Sequence, residues 1–454
     1  MILYTFIALS IILLFNKNLA LRGVLIFSLA IPTSFETTSF FSINIAGFNF
    51  LYTDLLVGIA IIVWILTPNK IPLGRKFIKK IKIVIFILIY LTILGVLKSL
   101  LLFDNVSQIL YDSRPIFYYI IIIVSMDVFS SEKDMIKISK SLLIGLTIYC
   151  VFTLSYFILN FEHPFYELFS TITIGFDNRI AFHNDIYFLF GFPILIYLIK
   201  RSSLSKKSLY LFLLILLMTQ LIVTMSRTLF VLSIFSIIFS FYKVNKKSFD
   251  TNFSFRIFFK GIRQFLFTIS LVVFSFYLFF PNLIGDGFLI FYEYSISRYI
   301  GLFDNQYSAH VLPRINLIEA GVEQITTAPI FGHGFGHFFT VKGWTTQLSF
   351  IDNSFLTLWI RIGLIGIFIF LLIFFYYFKV LAMYNKLKIN KNNKHIQALI
   401  SSAPIALILI LINCLNVSFL VNSTAVLPLC IILGSTIGFL TREIMDQTIN
   451  HPTI

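Results

Sequence analysis

Charge is what this chain has least of. Charged residues fill 12% of its 454 positions, about half the ~25% usual in a soluble domain. A soluble enzyme with so few could not stay in solution, and a disordered chain needs the opposite composition. Cysteine is scarce as well. Cys150, Cys414 and Cys430 are odd in number and irregularly spaced inside apolar runs, which excludes a disulfide scaffold and gives no metal-ligand spacing. The nucleotide signatures are missing too: there is no G-x-x-x-x-G-K-[ST], no D-x-D and no H-E-x-x-H. Those patterns hold phosphates, Mg²⁺ and catalytic zinc, so no metal and no cofactor are expected. Nor is there an internal repeat of the kind that marks many secondary transporters.

What is abundant is apolar. Hydrophobic residues make up 58% of the chain, mean hydropathy is +0.93, and 55 residues are phenylalanine. An all-α polytopic membrane protein is the class that remains. The apolar runs are continuous rather than alternating, so they spell helices and not barrel strands. About thirteen spans (12–14) are expected, near 2–16, 19–33, 49–67, 81–102, 115–129, 141–159, 182–199, 208–224, 228–242, 264–280, 354–378, 396–415 and 423–440. The run Met1–Phe15 has no cation before it and Lys17 after it, the wrong polarity for a cleavable secretory signal.

The basic residues then set the topology. On this layout 27 of the 35 cations fall on alternate loops, and those loops are assigned to the cytoplasm. The N-terminus is expected outside and the C-terminus inside. The high net charge of +15 is thus a topology signal and not a nucleic-acid footprint. Two longer segments lie outside: a medium loop over 160–181 and a large one over 281–350. They divide the chain into 1–280 with ten spans, the loop 281–350, and 351–454 with three more.

The outer face collects the polar residues that could carry chemistry. Arg298 and Arg314 lie in the large loop, Arg227 in the break Met225-Ser-Arg-Thr, and Arg179 just ahead of His183-Asn184-Asp185. Arginine presents a planar fork that suits phosphate oxygens, and arginines converging at the outer interface would suit a diphosphate. Each could equally pair with an acid or reach the headgroups. Next comes Ala328-Pro-Ile-Phe-Gly-His-Gly-Phe-Gly-His337. Gly332, Gly334 and Gly336 permit positive φ and close backbone approach; a tight loop dipping toward a cavity is expected, its amides open to an anion or simply closing a turn. His333 and His337 are four apart, but three glycines argue against a metal-binding helix. Asp352 precedes the eleventh span, where it reads as an N-cap or as a general base. Arg361 lies deeper in that span and needs a partner, such as Asp54 or Asp185.

Taken together, these motifs resemble the O-antigen ligase and polymerase superfamily. The resemblance rests on Ser226-Arg227 at a helix mouth and on Arg314 opening a loop helix. That helix leads to Pro329-Ile-Phe-Gly-His-Gly, and then come Asp352-Asn353 followed nine residues later by Gly363-Leu-Ile-Gly366. It covers roughly 224–378; the N-terminal half agrees only in general topology. In the ligases the first residue of the last motif is histidine. Here it is Asp352, which favours the polymerase branch and leaves the base open among Asp352, His310, His333, His337 and His183.

The resemblance implies a GT-C-like glycosyltransferase of the bacterial inner membrane. It would join oligosaccharide repeats carried on undecaprenyl diphosphate into O-antigen or a related surface polysaccharide, on the outer face. The implied catalytic set is Asp352, His337 and His310. The implied substrate-binding set is Arg227, Arg298, Arg314, Arg179, Gly332, Gly334 and Asn353. Partners would be lipid-linked donor and acceptor, membrane lipid, a chain-length regulator and a flippase, with no nucleic acid. Two other readings compete: a ligase that transfers finished glycan to an acceptor, and a flippase or transporter of lipid-linked oligosaccharide. The last predicts charges spread through many spans around a cavity, whereas the spans laid out above are poor in charge.

Overall fold

A computed structural model describes residues 17–30, 42–45, 48–66, 76–103, 105–159, 183–223, 226–245, 263, 308–343, 347–386, 393–421 and 425–450. The expected spans 2–16 and 264–280 and the loop 160–181 lie outside the described residues, as do Arg179 and Arg298.

The described chain is almost entirely helical. Thirteen α-helices run in the order α1 Lys17–Ala30, α2 Tyr52–Leu66, α3 Lys76–Leu102, α4 Val106–Phe117, α5 Ile120–Val128, α6 Glu132–Leu159 and α7 Phe188–Arg201. Then follow α8 Leu204–Val223, α9 Arg227–Asn245, α10 Ser308–Thr327, α11 Ser354–Lys386, α12 Lys394–Asn413 and α13 Val426–Asn450. A four-residue hairpin, β1 Ser42–Ile45 antiparallel to β2 Phe48–Leu51, precedes α2. Among the described residues six stretches are long and apolar enough to cross a bilayer: Ile78–Leu102, Val106–Val128, Glu132–Ser155, Ser354–Lys386, Lys394–Asn413 and Val426–Gln447. The protein is therefore membrane-embedded through apolar helices.

Helix α13 packs on α5, α1 on α6, α7 on α12, and α11 on α3. Small residues allow the closest of these approaches. A Cβ on Gly438 would collide with the carbonyl oxygen of Met126, and one on Gly434 with that of Ile122; a G-x-x-x-G step thus brings α13 against the backbone of α5. The basic helix ends gather at one end of the bundle. There Lys394 donates to Ser202 (2.9 Å), Lys200 to the Val244 carbonyl (3.0 Å), and Lys243 to that of Ser401 (3.0 Å).

One expected boundary moves. The span placed at 115–129 starts instead at Val106. It is two helices, α4 and α5, joined through Tyr118–Tyr119 by tightened i→i+3 bonds such as Ile121 N–H to the Tyr118 carbonyl (2.9 Å). Pro115 lies one turn before that joint and cannot supply its own N–H. The shift brings Asp112 and Arg114 into the membrane-crossing stretch, both buried. It therefore corrects the expectation of charge-poor spans.

Those charges are held in pairs. Near the basic end, Lys82 of α3 donates to both oxygens of Asp127 on α5 (2.9 Å each). The Trp64 indole of α2 donates to the same carboxylate (3.0 Å). At the other end, Arg114 lies 3.6 Å from Asp54, which also accepts from the Leu51 amide (2.8 Å) and the Tyr118 hydroxyl. A charge in an apolar interior persists only when paired and hydrogen-bonded.

Candidate functional site

The site lies at the end of the bundle away from the basic cluster, where α11 breaks. Gly363 takes φ 69° and ψ −178° inside an otherwise helical run. In an unbroken helix the Leu364 and Ile365 amides would donate to the carbonyls of Ile360 and Arg361. Here they donate to Pro329 (3.0 Å) and Ile330 (3.4 Å), and the vacated Ile360 and Arg361 carbonyls accept from His333 N–H (2.6 Å) and Gly334 N–H (3.1 Å). The glycine-rich loop over 328–337 thus replaces the helix's own bonds. A Cβ on Gly363 would collide with the Ile330 carbonyl oxygen, and one on Gly332 would come within 2.7 Å of the Ile360 oxygen.

The sequence expectation of a tight loop with positive φ is met. Gly332, Gly334 and Gly336 have φ of 67°, 99° and 72°. The loop's amides, however, are directed at protein acceptors and not at an open cradle. Besides the two above, Gly332 N–H donates to the Ala328 carbonyl (3.1 Å), Phe335 N–H to the Ser99 hydroxyl (2.6 Å), and Gly336 N–H to the Asp112 carboxylate (3.1 Å). Lys98 closes the loop from α3 by donating to the Gly332 carbonyl (2.8 Å).

Arg361 finds its partner in Asp112, and neither Asp54 nor Asp185 fills that role. Its guanidinium lies 2.8 Å from the Asp112 carboxylate and also donates to the Asp112 carbonyl (3.1 Å), with both side chains buried. Asp185 instead accepts from the Tyr149 hydroxyl (2.6 Å). Asp112 also accepts from the Gln108 amide (2.8 Å). A single carboxylate therefore joins α4, the break in α11 and the glycine loop.

The two loop histidines face α10. Their rings stack at 4.2 Å with 7° between planes. His333 Nε2 contacts the Gln324 carbonyl (2.8 Å), and His337 Nε2 the Gln324 side-chain oxygen (2.9 Å). An amide oxygen only accepts, so each Nε2 carries a proton that it donates to Gln324. Burial first, then His333 and Lys98, push the His337 imidazolium down to about 4. The ring is neutral at physiological pH.

The remaining sequence-derived residues separate. Asn353, and not Asp352, caps α11: its side-chain oxygen accepts from Phe355 and Leu356 N–H (3.0 Å each), and its NH₂ donates to the Leu415 carbonyl (3.0 Å). Asp352 is exposed beside that cap at the mouth of the helix. His310 and Arg314 lie on α10, and Arg227 is the first residue of α9; their side chains, like that of His183, lie outside the described residues. Sequence reasoning passed over Asp112, Lys98, Ser99 and Gln324. Asp112 was legible in principle: Ile109, Asp112 and Ile116 share one helical face, which extends the span upstream through the acid. Among the described residues no cluster of three or more metal-ligating side chains occurs.

No family model matches the chain, and no curated protein matches it.

Two outcomes follow from this geometry. Gly363→Ala should destabilise the protein by on the order of 3 kcal/mol, since positive φ and a backbone collision add. Gly343→Ala, also at positive φ but with nothing near its missing Cβ, should cost only about 1 kcal/mol; unfolding in detergent micelles compares them, and equal losses would contradict the docked break. The second concerns pH. The folded His337 pKa lies below the free-histidine value of ~6.5, so between the two values the unfolded chain binds the proton more strongly. The His337 contribution to stability is complete above about pH 6.5 and is lost as the pH falls toward about 4. His337→Gln should flatten that part of the stability–pH curve; an unchanged slope would contradict the assignment.

Proposed function

We propose that this chain is a membrane glycosyltransferase that polymerises oligosaccharide repeats carried on undecaprenyl diphosphate, acting on the outer face of a bacterial inner membrane. The supporting observation is the segment described over 308–343 and 347–353, whose glycine loop docks on a break in a membrane-crossing helix and donates from Gly336 N–H to the buried aspartate that pairs with Arg361. Short turns need no such anchoring; a platform that must hold a reacting lipid-borne sugar still against the membrane does. About thirteen spans and a GT-C-like arrangement belong to the same reading.

In this reading the donor glycan leaves its lipid diphosphate as the acceptor sugar's hydroxyl attacks the anomeric carbon. Arg314, Arg227, Arg298 and Arg179 stabilise the charge developing on the diphosphate, and such stabilisation commonly contributes most to catalysis of this kind. Asp352, exposed at the mouth of α11, takes the hydroxyl proton. His337 suits that role less well, because a ring protonating only near about 4 is a weak base at neutral pH; it suits orienting a hydroxyl through Nδ1. The leaving group carries its own activation, so neither nucleotide nor metal is required. Among the described residues the buried cations Lys82, Arg114 and Arg361 each lie against a carboxylate on another helix, and this arrangement speaks for clamps between helices over a transport path.

The test uses purified full-length protein in proteoliposomes with a synthetic polyprenyl-diphosphate oligosaccharide. Each charge-assisted bond is worth about 1.5–3 kcal/mol, so Arg314→Ala should slow polymer formation by roughly 10- to 100-fold at unchanged protein level. A chain that moves the lipid-linked sugar across the bilayer without lengthening it would overturn the reading.

A further inference from the structure

The turn that fills the break in α11 carries an apolar side that the bundle does not cover. Ile330 is 52% exposed and Phe331 69%. Their backbone is not exposed in the same sense. Pro329 has no N–H, and its carbonyl accepts from both Leu364 N–H (3.0 Å) and the Trp359 indole (2.8 Å), while the Ile330 carbonyl accepts from Ile365. The Pro329 and Ile330 carbonyls therefore point into the helix, while the Ile330 and Phe331 side chains stay exposed.

What lies beside the turn decides its partner. Leu364, Phe368, Leu371 and Phe375 of α11 are all exposed, and at that spacing they form one helical face. They belong to the stretch Ser354–Lys386, which is apolar enough to cross a membrane, so this face lies in hydrocarbon. Leu364 and Ile365 are bonded directly to Pro329 and Ile330. The apolar surface is thus continuous from mid-helix up to Phe331. Helix α10, which leads into the turn, shows the pattern of a helix lying at an interface. Ile315, Ile318 and Val322 are exposed on one arc, with the exposed Glu319 and Glu323 on the arc next to it.

We infer that Pro329–Phe331 is a lipid-seated wedge. Its two apolar side chains insert into the leaflet on the loop side, and the membrane lipid itself is the partner of this surface. Backbone outside regular structure is tolerated at that depth only when its polar groups are satisfied within the protein, and the bonds from Leu364, Ile365 and Trp359 meet that condition for the Pro329 and Ile330 carbonyls. The wedge fixes the height at which the glycine loop and the mouth of α11 sit above the hydrocarbon. That role holds whatever reaction this end of the protein carries.

The test is spin-label accessibility on full-length protein in phosphatidylcholine–phosphatidylglycerol liposomes. Nitroxide is attached at Phe331→Cys and Ile330→Cys, with Phe368→Cys as lipid reference and Glu323→Cys as water reference. All four positions are exposed, and the native cysteines are buried, so labelling leaves the core alone. Collisions with apolar oxygen and with a water-soluble nickel chelate are compared. A lipid-seated wedge gives an oxygen-to-nickel ratio at 331 and 330 that matches the one at 368 and exceeds the one at 323 severalfold. Nickel-dominated collisions at 331 would overturn it in favour of a solvated turn. Protection from both reagents, with an immobilised label, would overturn it in favour of a second copy or another protein.

Discussion

The buried pair between Asp112 and Arg361 is the contact on which this end of the molecule depends. Three elements are joined there: α4, the interrupted α11, and the loop over 328–337. An isolated charge at that depth would cost several kcal/mol. The carboxylate is compensated by the guanidinium, by Gln108 and by the Gly336 amide together. The loop is consequently part of what makes the charge tolerable. In turn the charge holds the loop, and the loop supplies the bonds that α11 loses at Gly363. The three features support one another at the position where the helix breaks.

The same economy recurs at the opposite end of the span that contains Asp112. Roughly 22 Å further along at ~1.5 Å per residue, Asp127 meets Lys82 and Trp64. One pair ties α4 to α11 and the other ties α5 to α3, while α13 presses on α5 through Gly434 and Gly438. A bundle surrounded by lipid gains little from hydrophobic burial between helices, and close packing with polar clamps must supply the specificity. The proposed activity fits such a frame, since a reaction on a lipid-borne substrate needs a platform at constant height.

Much of the architecture is legible in the sequence, and the reason is local. Uninterrupted apolar runs give helices whatever their neighbours, and the described α3, α6, α8, α11, α12 and α13 overlap the expected spans. Glycine spacing alone announces the positive φ at Gly332, Gly334 and Gly336. The sequence is silent where the determinant is distant. Gly363 sits in a Gly-x-x-Gly pattern that a straight helix would accept, and only the approach of Ile330 forces its φ. Asp352 and Asn353 are both good caps; burial of Ile351 and the tether to Leu415 choose the asparagine. Asp112 resembles a loop residue because polar neighbours hide the start of its helix, and its partner lies 249 residues away.

The most direct measurement is a double-mutant cycle on Asp112→Asn and Arg361→Gln, read as unfolding free energy in detergent micelles with proteolysis of the glycine loop followed in parallel. Each single change should cost about 3–5 kcal/mol, because it strands a buried charge. The double change should cost no more than the worse single, so that the two are coupled by at least ~2 kcal/mol, and either single change should expose the loop to protease. Losses that add to within ~0.5 kcal/mol, with the loop still protected, would contradict the joint role of this pair.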